Sequence, residues 1–566
     1  MRPAAIAIAV AALAAVVILP RQRLTSTFAT ATSEAQADTV PLRALGPTAS
    51  STVIDFALVL RQHDRALNHY LRELDDPSSA NYHHYLSARE LGRRFGISTT
   101  ALRLLRQRLA RAGLRVTAAY PQRTELEARG TVAAVGAFFH VSFRNYRDSR
   151  GSTYHAPVRQ PAVPSDLTRW VVDVAGLSTE RRIVPLDVPT HRCGAPVRLL
   201  SAPCSGLSPK DIARAYDVAP LHARGLNGQG ETVAVVSFAR FDDADVATFD
   251  QAFALRGPKV EHIKVGTGKV ATSGDVIGEV DLDVDIIRAI APKARILNFE
   301  AAGDCCSFAR MFNRIVQDGR ADVISVSYGL CDDPSDPYVR ALRRADLTAM
   351  RTARGSGVTI FIASGDAGAY TCQRSKLADH RLSATWPSDS PHAVSVGGTL
   401  LSVRQNGMYL EEAGWEYPMT NLGGGGGVNP IDRRPPWQKA PGMPRGGKRV
   451  FPDVAAAADL ASGFLMVVDG QITPGNGTSQ ATPFWAGSFA LVRQFARRRG
   501  AGNVGFLAPI LYRIASTRQP FPAFHDVTRG GNRHYDAGPG WDYATGLGSP
   551  DVYNLARDVV RSLKSR

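Results

Sequence analysis

Gly477-Thr478-Ser479-Gln480-Ala481-Thr482-Pro483 sets a serine on a small glycine turn, directly ahead of the apolar, helix-compatible run Phe484-Trp485-Ala486-Gly487. A turn of this kind lifts a hydroxyl out of the fold, and the N-terminus of the next helix aims backbone N–H groups at it. Acyl-transfer serines are held this way, and such a nucleophile needs a base. The usual base is histidine. None of the thirteen histidines is followed by glycine, so the His-Gly-Thr element in which such a histidine often stands is missing. Another group must take the proton.

Carboxylates are the candidates. Glu279-Val280-Asp281-Leu282-Asp283 places Glu279 and Asp283 four residues apart, and on a helix residues i and i+4 share a face. Two carboxyls at short range share a proton, because both cannot easily ionise. Asp366, in Ile362-Ala363-Ser364-Gly365-Asp366-Ala367-Gly368, follows the β-branched run Val358 to Ile362. That run reads as a buried strand, and an acid just past such a strand stands where α/β sheets place site residues. Taken singly, each group has an ordinary explanation. Glu279 and Asp283 could lie on a solvated helix face, and Asp366 or Ser479 could cap a helix.

Glu-x-x-x-Asp, then Ser-Gly-Asp, then Gly-Thr-Ser, in that order, resembles the sedolisin family of serine-carboxyl peptidases. The stretch Phe524-His525-Asp526-Val527-Thr528-Arg529-Gly530, with Ala537-Gly538-Pro539-Gly540-Trp541-Asp542 and Thr545-Gly546-Leu547-Gly548-Ser549-Pro550 after it, is similar to the family's calcium loop. Asn81-Tyr82-His83-His84-Tyr85-Leu86, Arg94-Phe95-Gly96 and the segment to Gly176-Leu177 resemble its pro-kumamolisin-like pro-domain. The resemblance implies Ser479 as nucleophile, Glu279 as general base, Asp283 as the residue orienting Glu279, and Asp366 as oxyanion stabiliser. It also implies Ca2+, held by carboxylates of Asp526 and Asp542 and backbone carbonyls of Val527, Gly538 and Gly540. Hard oxygen ligands in a glycine-bearing loop suit that ion. The implied fold is α/β, with a subtilisin-like, mostly parallel sheet flanked by helices, preceded by an α+β pro-domain.

The chain departs from the family pattern at Asn476, Gln480, Ala367 and Tyr328. These changes are expected to touch specificity more than chemistry, since all four catalytic positions are filled. Ser327-Tyr328-Gly329 would form a backbone edge for substrate. Glu279 to Ile286 alternates acid and apolar residues, a strand pattern by period. The resemblance puts it on a helix, and Ile286, Ile287 and Ile290 continue with helical spacing.

The length of 566 residues suggests several folded units, and 44% hydrophobic residues allow a large core. A net charge of +16 raises nucleic-acid binding as a reading. Its distribution argues against it. Residues 1–205 carry 26 basic against 15 acidic residues, every basic one arginine, while the remainder carries 41 against 36. No basic stripe with interleaved aromatics is present, so no nucleic-acid partner is expected. Met1-Arg2 and the apolar run Ala4 to Leu19 fit a signal peptide, with Ala29-Thr30-Ala31 or Ala35-Gln36-Ala37 as cleavage sites. An uncleaved signal anchor is the alternative, since Arg21 and Arg23 follow directly; only then is a membrane a partner. Either way export is expected. Six cysteines (Cys193, Cys204, Cys305, Cys306, Cys331, Cys372) fit an oxidising compartment and disulfides. Their pairing stays open, and no Cys-x-x-Cys pair points to zinc.

Four segments are expected: a leader at 1–37, the pro-domain at 38–178, a processing linker at 179–206 and the peptidase domain at 207–566. In the second, Leu102, Leu105, Leu109 and Leu114, then Val132, Val135, Phe138 and Phe139, have helical spacing, and Leu114 to Leu126 reads as β. The linker is rich in Arg, Pro, Ser and Cys and lacks periodicity. In the last, Thr232 to Val236, Ile296 to Phe299, Val323 to Ser327, Val358 to Ile362 and Ala393 to Val396 read as strands alternating with helices. Gly423 to Gly427 reads as a flexible loop.

The expected function is a secreted, acid-active peptidase made as a self-processing precursor, with peptide substrates and its own pro-domain as inhibitor. The acid optimum follows from chemistry. The base must be ionised while Asp366 keeps its proton, and unperturbed carboxyls titrate near ~4. Pro-domain histidines His83, His84, His140 and His155 are candidates for an acid trigger. One alternative is a catalytically inactive relative that binds peptides. Another, a histidine-using hydrolase, lacks its motifs.

Overall fold

The computed structural model describes residues 43–148, 151–180, 183–186, 206–272, 276–302, 308–374 and 378–564. The leader, most of the linker, and Cys193, Cys204, Cys305 and Cys306 lie outside the described residues. The β-branched runs of the C-terminal part assemble an eight-stranded sheet. Its order is Glu261–Lys264, Arg295–Glu300, Thr232–Ser237, Val323–Val326, Thr359–Ala363, Val394–Val403 and Tyr409–Gly414, with Val454–Ala457 also paired to Val394–Val403. All pairings are parallel except that of Tyr409–Gly414. Parallel strands buried on both faces read as near-continuous apolar runs. Val233 and Val235 accordingly enter one core, and Ala234 and Val236 the other.

Helices Val276–Ile290, Gly477–Arg498 and Val552–Lys564 cover the first face, and Phe308–Asp318 and Pro337–Gly355 the second. The acid-rich stretch from Glu279 is helical despite its alternating pattern. Apolar residues at every other position of a helix face both the sheet and the neighbouring helices, and Val280, Leu282, Val284 and Ile286 are all buried.

The N-terminal part is a four-stranded antiparallel sheet, ordered Arg115–Ala119, Glu125–Thr131, Val53–Leu60, Val171–Ala175. Helices Thr99–Arg111 and Val132–Phe139 lie on one face through Leu105, Leu109, Val135, Phe138 and Phe139. They start behind Ser98 and Thr131, whose side chains accept the N–H groups of Ala101 and Ala134. From the opposite face Val59 and Ala175 join the core beneath Phe308–Asp318 and Pro337–Gly355. Buried polar contacts complete the joint. Gln122 Nε2 and Thr124 Oγ1 donate to Asn313 Oδ1 at 3.1 and 2.6 Å, and Arg310 pairs with Glu127 at 3.0 Å.

The expectation of a flexible loop at Gly423 to Gly427 is corrected. All five glycines are buried. A side chain on Gly425 would stand 1.9 Å from the Ser364 carbonyl oxygen, and one on Gly426 1.8 Å from that of Tyr543. The run is glycine because three backbones pass without room for a Cβ.

Candidate active site

Ser479 lies in the first turn of Gly477–Arg498 and is buried. Gly477 takes φ +80 to turn the chain into this helix, and its N–H donates to the Ala458 carbonyl at 2.7 Å. Pro483, four residues after Ser479, has no N–H to give back to the Ser479 carbonyl. The Ser327 hydroxyl lies 3.3 Å from that carbonyl oxygen instead. Ser327 follows strand Val323–Val326 directly. Its own carbonyl accepts from Ser479 Oγ at 3.4 Å, and its hydroxyl donates to Asp283 Oδ1 at 2.6 Å. Ser327 therefore joins the nucleophile to the acid helix. One hydroxyl proton cannot serve both acceptors. When Asp283 is protonated it can donate to Ser327 Oγ, which frees the hydroxyl for Ser479 O.

Glu279 and Asp283 are both buried one turn apart on Val276–Ile290, which packs against the serine's helix. Asp281 and Asp285 point elsewhere. Asp285 accepts the Val467 N–H at 2.8 Å. Burial, then the neighbouring charge of Asp285, pushes the Asp281 carboxyl up to about 9.

Asp366 lies just past strand Thr359–Ala363 and is buried. Its Oδ1 accepts both the N–H of Thr478 at 2.9 Å and the Thr478 hydroxyl at 2.7 Å. That ties the acid to the residue before Ser479 and leaves Oδ2 as the oxygen that could carry a proton. Arg374 Nη1 is 3.8 Å from Oδ2. The structure thus brings Ser479, Asp283 and Asp366 into one connected network and buries Glu279 beside it. Ser327 was foreseen for its backbone only, and its strand-end position gave no sign of the hydroxyl's role. Arg374 carried no sequence signal.

Gln480, one of the departures expected to touch specificity more than chemistry, is buried. Its Nε2 donates to the Ala457 carbonyl at 2.9 Å and its Oε1 accepts from Phe464 N–H at 2.7 Å, so it anchors the helix to the strand behind it. Tyr328 turns its ring into the second core against Phe238, at 5.0 Å between centroids. Cys331 and Cys372 form a disulfide that ties the strand Tyr328–Cys331 to the segment carrying Arg374.

The C-terminal loop folds its two acids onto one tripeptide. Asp526 accepts from Gly540 N–H at 3.0 Å and Asp542 from Gly538 N–H at 3.1 Å. Among the described residues no group of three or more His, Cys, Asp or Glu side chains is placed to hold a metal ion. Any cation here would draw on two carboxylates and on carbonyls. That donor set is all oxygen and fits a hard cation in chemistry.

The pro-kumamolisin activation-domain model matches residues 42–180, and the subtilase family model residues 268–505. Kumamolisin of Bacillus sp. (strain MN-32) is 32% identical over 457 residues, which cover 76% of this chain and 78% of the relative. Sedolisin of Pseudomonas sp. (strain 101) is 28% identical over 517 residues, covering 88% and 85%. Tripeptidyl-peptidase 1 of Pan troglodytes is 25% identical over 551 residues, covering 90% and 92%. The solved structure of Pseudomonas sedolisin, a serine-carboxyl proteinase complexed with two molecules of pseudo-iodotyrostatin, superimposes with a TM-score of 0.56 at 30% identity. It covers 63% of this chain and 99% of its own. The chain belongs to the sedolisin family of serine-carboxyl peptidases and carries a pro-kumamolisin activation domain ahead of the peptidase.

Proposed function

We propose that this peptidase is secreted, works in acid, and cleaves peptide bonds through an acyl-enzyme on Ser479 with Glu279 as base. The observation that carries the reading is the Ser327 bridge. The Ser327 carbonyl receives the Ser479 hydroxyl at 3.4 Å, and its hydroxyl reaches Asp283 at 2.6 Å, on the face shared with Glu279. No histidine is among the described hydrogen-bond partners of Ser479.

In this mechanism Ser479 Oγ attacks the substrate carbonyl carbon and its proton passes to Glu279. Asp283, held by Ser327, orients Glu279 and shares the proton load. Asp366 donates its own proton to the oxyanion, which requires the acid form. Collapse breaks the C–N bond, and Glu279 returns the proton to the leaving amine. Water then hydrolyses the ester with Glu279 again as base. Glu279 must start ionised and Asp366 protonated, a combination met in acid.

Buried carboxyls elsewhere support an acid habitat. Burial pushes Asp281 up to about 9, Asp346 to about 7 and Asp558 to about 6, and raises Asp285 and Asp389 well above the usual range. For release of the pro-domain, His83 is the histidine seated at the joint, with Nδ1 2.8 Å from the Asn503 carbonyl oxygen. His84 and His140 are exposed. Calcium is proposed on Asp526, Asp542 and the carbonyls of Val527, Gly538 and Gly540, where it would brace the loop.

The test is the pH profile of casein cleavage by acid-treated precursor. An acidic maximum, lost by about a thousandfold or more in both Ser479→Ala and Glu279→Gln, is expected. A neutral maximum, or full activity in Glu279→Gln, overturns the mechanism. No labelling of Ser479 by an active-site inhibitor would favour the inactive peptide-binding reading.

A further inference from the structure

Three described residues of the linker, Val184, Pro185 and Leu186, run along the strand end next to Ser479. Val184–Pro185 forms a strand antiparallel to Tyr328–Cys331, with Pro185 opposite Tyr328 and Val184 opposite Gly329. The Leu186 N–H donates to the Ser327 carbonyl at 3.0 Å. This is the same carbonyl that receives the Ser479 hydroxyl at 3.4 Å.

We propose that Val184-Pro185-Leu186 is the first substrate of Ser479, that the precursor is cut at the Leu186–Asp187 bond, and that the pocket ahead of the cut prefers a leucine-sized apolar side chain. The proposal rests on the peptidase reading above.

Register selects the bond. An extended residue points its N–H and its C=O to the same side of the strand. The Leu186 N–H meets the carbonyl oxygen that receives the Ser479 hydroxyl, so the Leu186 carbonyl is turned to the same side as the nucleophile. The Pro185 carbonyl, whose carbon is bonded to the Leu186 nitrogen at about 1.33 Å, faces the other way. The proline fits the same register. Donors alternate along an antiparallel strand, so Leu186 and Val184 face Tyr328–Cys331 and position 185 faces away, where a missing N–H costs no ladder bond.

The pocket is read from the side chain already in it. Leu186 is 1% exposed. A Cβ on Gly329 would stand 3.1 Å from Leu186 Cδ1 and 2.6 Å from Thr385 Cγ2, so the glycine makes the room that the leucine fills. Leu330 pairs with Trp386 behind this wall. A buried leucine side chain contributes roughly 1.5–3 kcal/mol relative to exposure, and a lysine there would bury an ammonium in the room a leucine fills.

The step balances. Ser479 Oγ bonds to the Leu186 carbonyl carbon, the bond to Asp187 N breaks, and the hydroxyl proton passes through Glu279 to that nitrogen. Water then releases the Leu186 carboxylate and restores Ser479.

The experiment acidifies purified full-length precursor, quenches it early, and reads fragment masses and new N-termini. The earliest new N-terminus is expected at Asp187. Leu186→Lys should slow this cut at least tenfold, and Leu186→Met should leave it within a few-fold. The activated enzyme should also cleave the synthetic peptide Ile-Val-Pro-Leu-Asp-Val-Pro-Thr between Leu and Asp, a readout independent of how the variants fold. An earliest cut elsewhere, or equal cleavage of peptides with Lys in place of Leu, overturns the proposal while Ser479-dependent casein cleavage leaves the peptidase reading intact. A Ser479→Ala precursor that is purified away from active enzyme and processes itself at the wild-type rate overturns that reading as well.

Discussion

Pro483 stands four residues after Ser479 in the same helix and withholds the N–H that would otherwise close on the Ser479 carbonyl. The carbonyl is left facing the Ser327 hydroxyl at 3.3 Å. A proline inside a helix costs about 3 kcal/mol, and here the fold keeps it beside the nucleophile. Pro483→Ala supplies the missing donor. The helix bond should close, draw Ser479 into a regular turn and weaken its link to Ser327. We expect kcat to fall at least tenfold while the melting temperature holds or rises. A variant with unchanged kcat and a lower melting temperature would show that the proline serves packing alone.

Arg374 acts on the other side of the serine. Its Nη1 lies 3.8 Å from Asp366 Oδ2. A cation beside a carboxyl favours the ionised form, whereas oxyanion stabilisation needs the acid form. Arg374→Gln removes the cation, so Asp366 should hold its proton to higher pH. The alkaline limb of the kcat/KM profile is expected to move upward, with the acid limb nearly fixed. A downward shift would mean that Arg374 itself supports the oxyanion.

Much of this was legible because parallel strands buried on both faces leave a plain signal. The runs ending at Val236, Val326 and Ile362 are apolar but for Thr232, Ser325 and Thr359, and each is a strand of the large sheet. Glu279 to Ile286 shows where period fails. Its acids and aliphatics alternate as in a strand, yet every residue from Glu279 to Ile290 is buried on a helix. When both classes are buried, alternation no longer reports a wet and a dry face. The glycine run at 423 to 427 failed for a different reason. Composition records that no side chain is present, but not whether open solvent or a neighbouring backbone removed it. The Ser327 hydroxyl and Arg374 belong to contacts 44 residues away from Asp283 and across a loop from Asp366, and no local spacing encodes those.

The C-terminal loop offers a direct measurement. If calcium sits on Asp526 and Asp542, EDTA should lower the melting temperature of the intact precursor, and added calcium should restore it. Binding at 100 times Kd stabilises by about 2.7 kcal/mol. Asp542→Ala should abolish the calcium response and lower stability even in EDTA, because Asp542 Oδ1 also accepts the Ala544 and Thr545 N–H groups at 2.8 Å. A melting temperature indifferent to EDTA, with no calcium found by metal analysis of the purified protein, would remove the ion from the account.

Burial of Asp281 sets the sign of the protein's stability against pH. The folded protein holds this carboxyl up to about 9, first through desolvation and then through the charge of Asp285. The unfolded chain titrates near ~3.9. Between these values the folded state binds a proton that the unfolded state has lost, so stability is greatest below the lower value and falls as pH rises toward the higher one. Glu125, at the joint with the pro-domain and pushed up to about 8 by burial and then by Glu127, acts in the same direction. The precursor should therefore melt at a higher temperature near pH 5 than near pH 8. Asp281→Asn keeps the shape and removes the titration. It is expected to stabilise the protein by roughly 1–3 kcal/mol at pH 8 and by little at pH 4, flattening the profile. Equal gains at both values would mean that packing, rather than protonation, sets the effect.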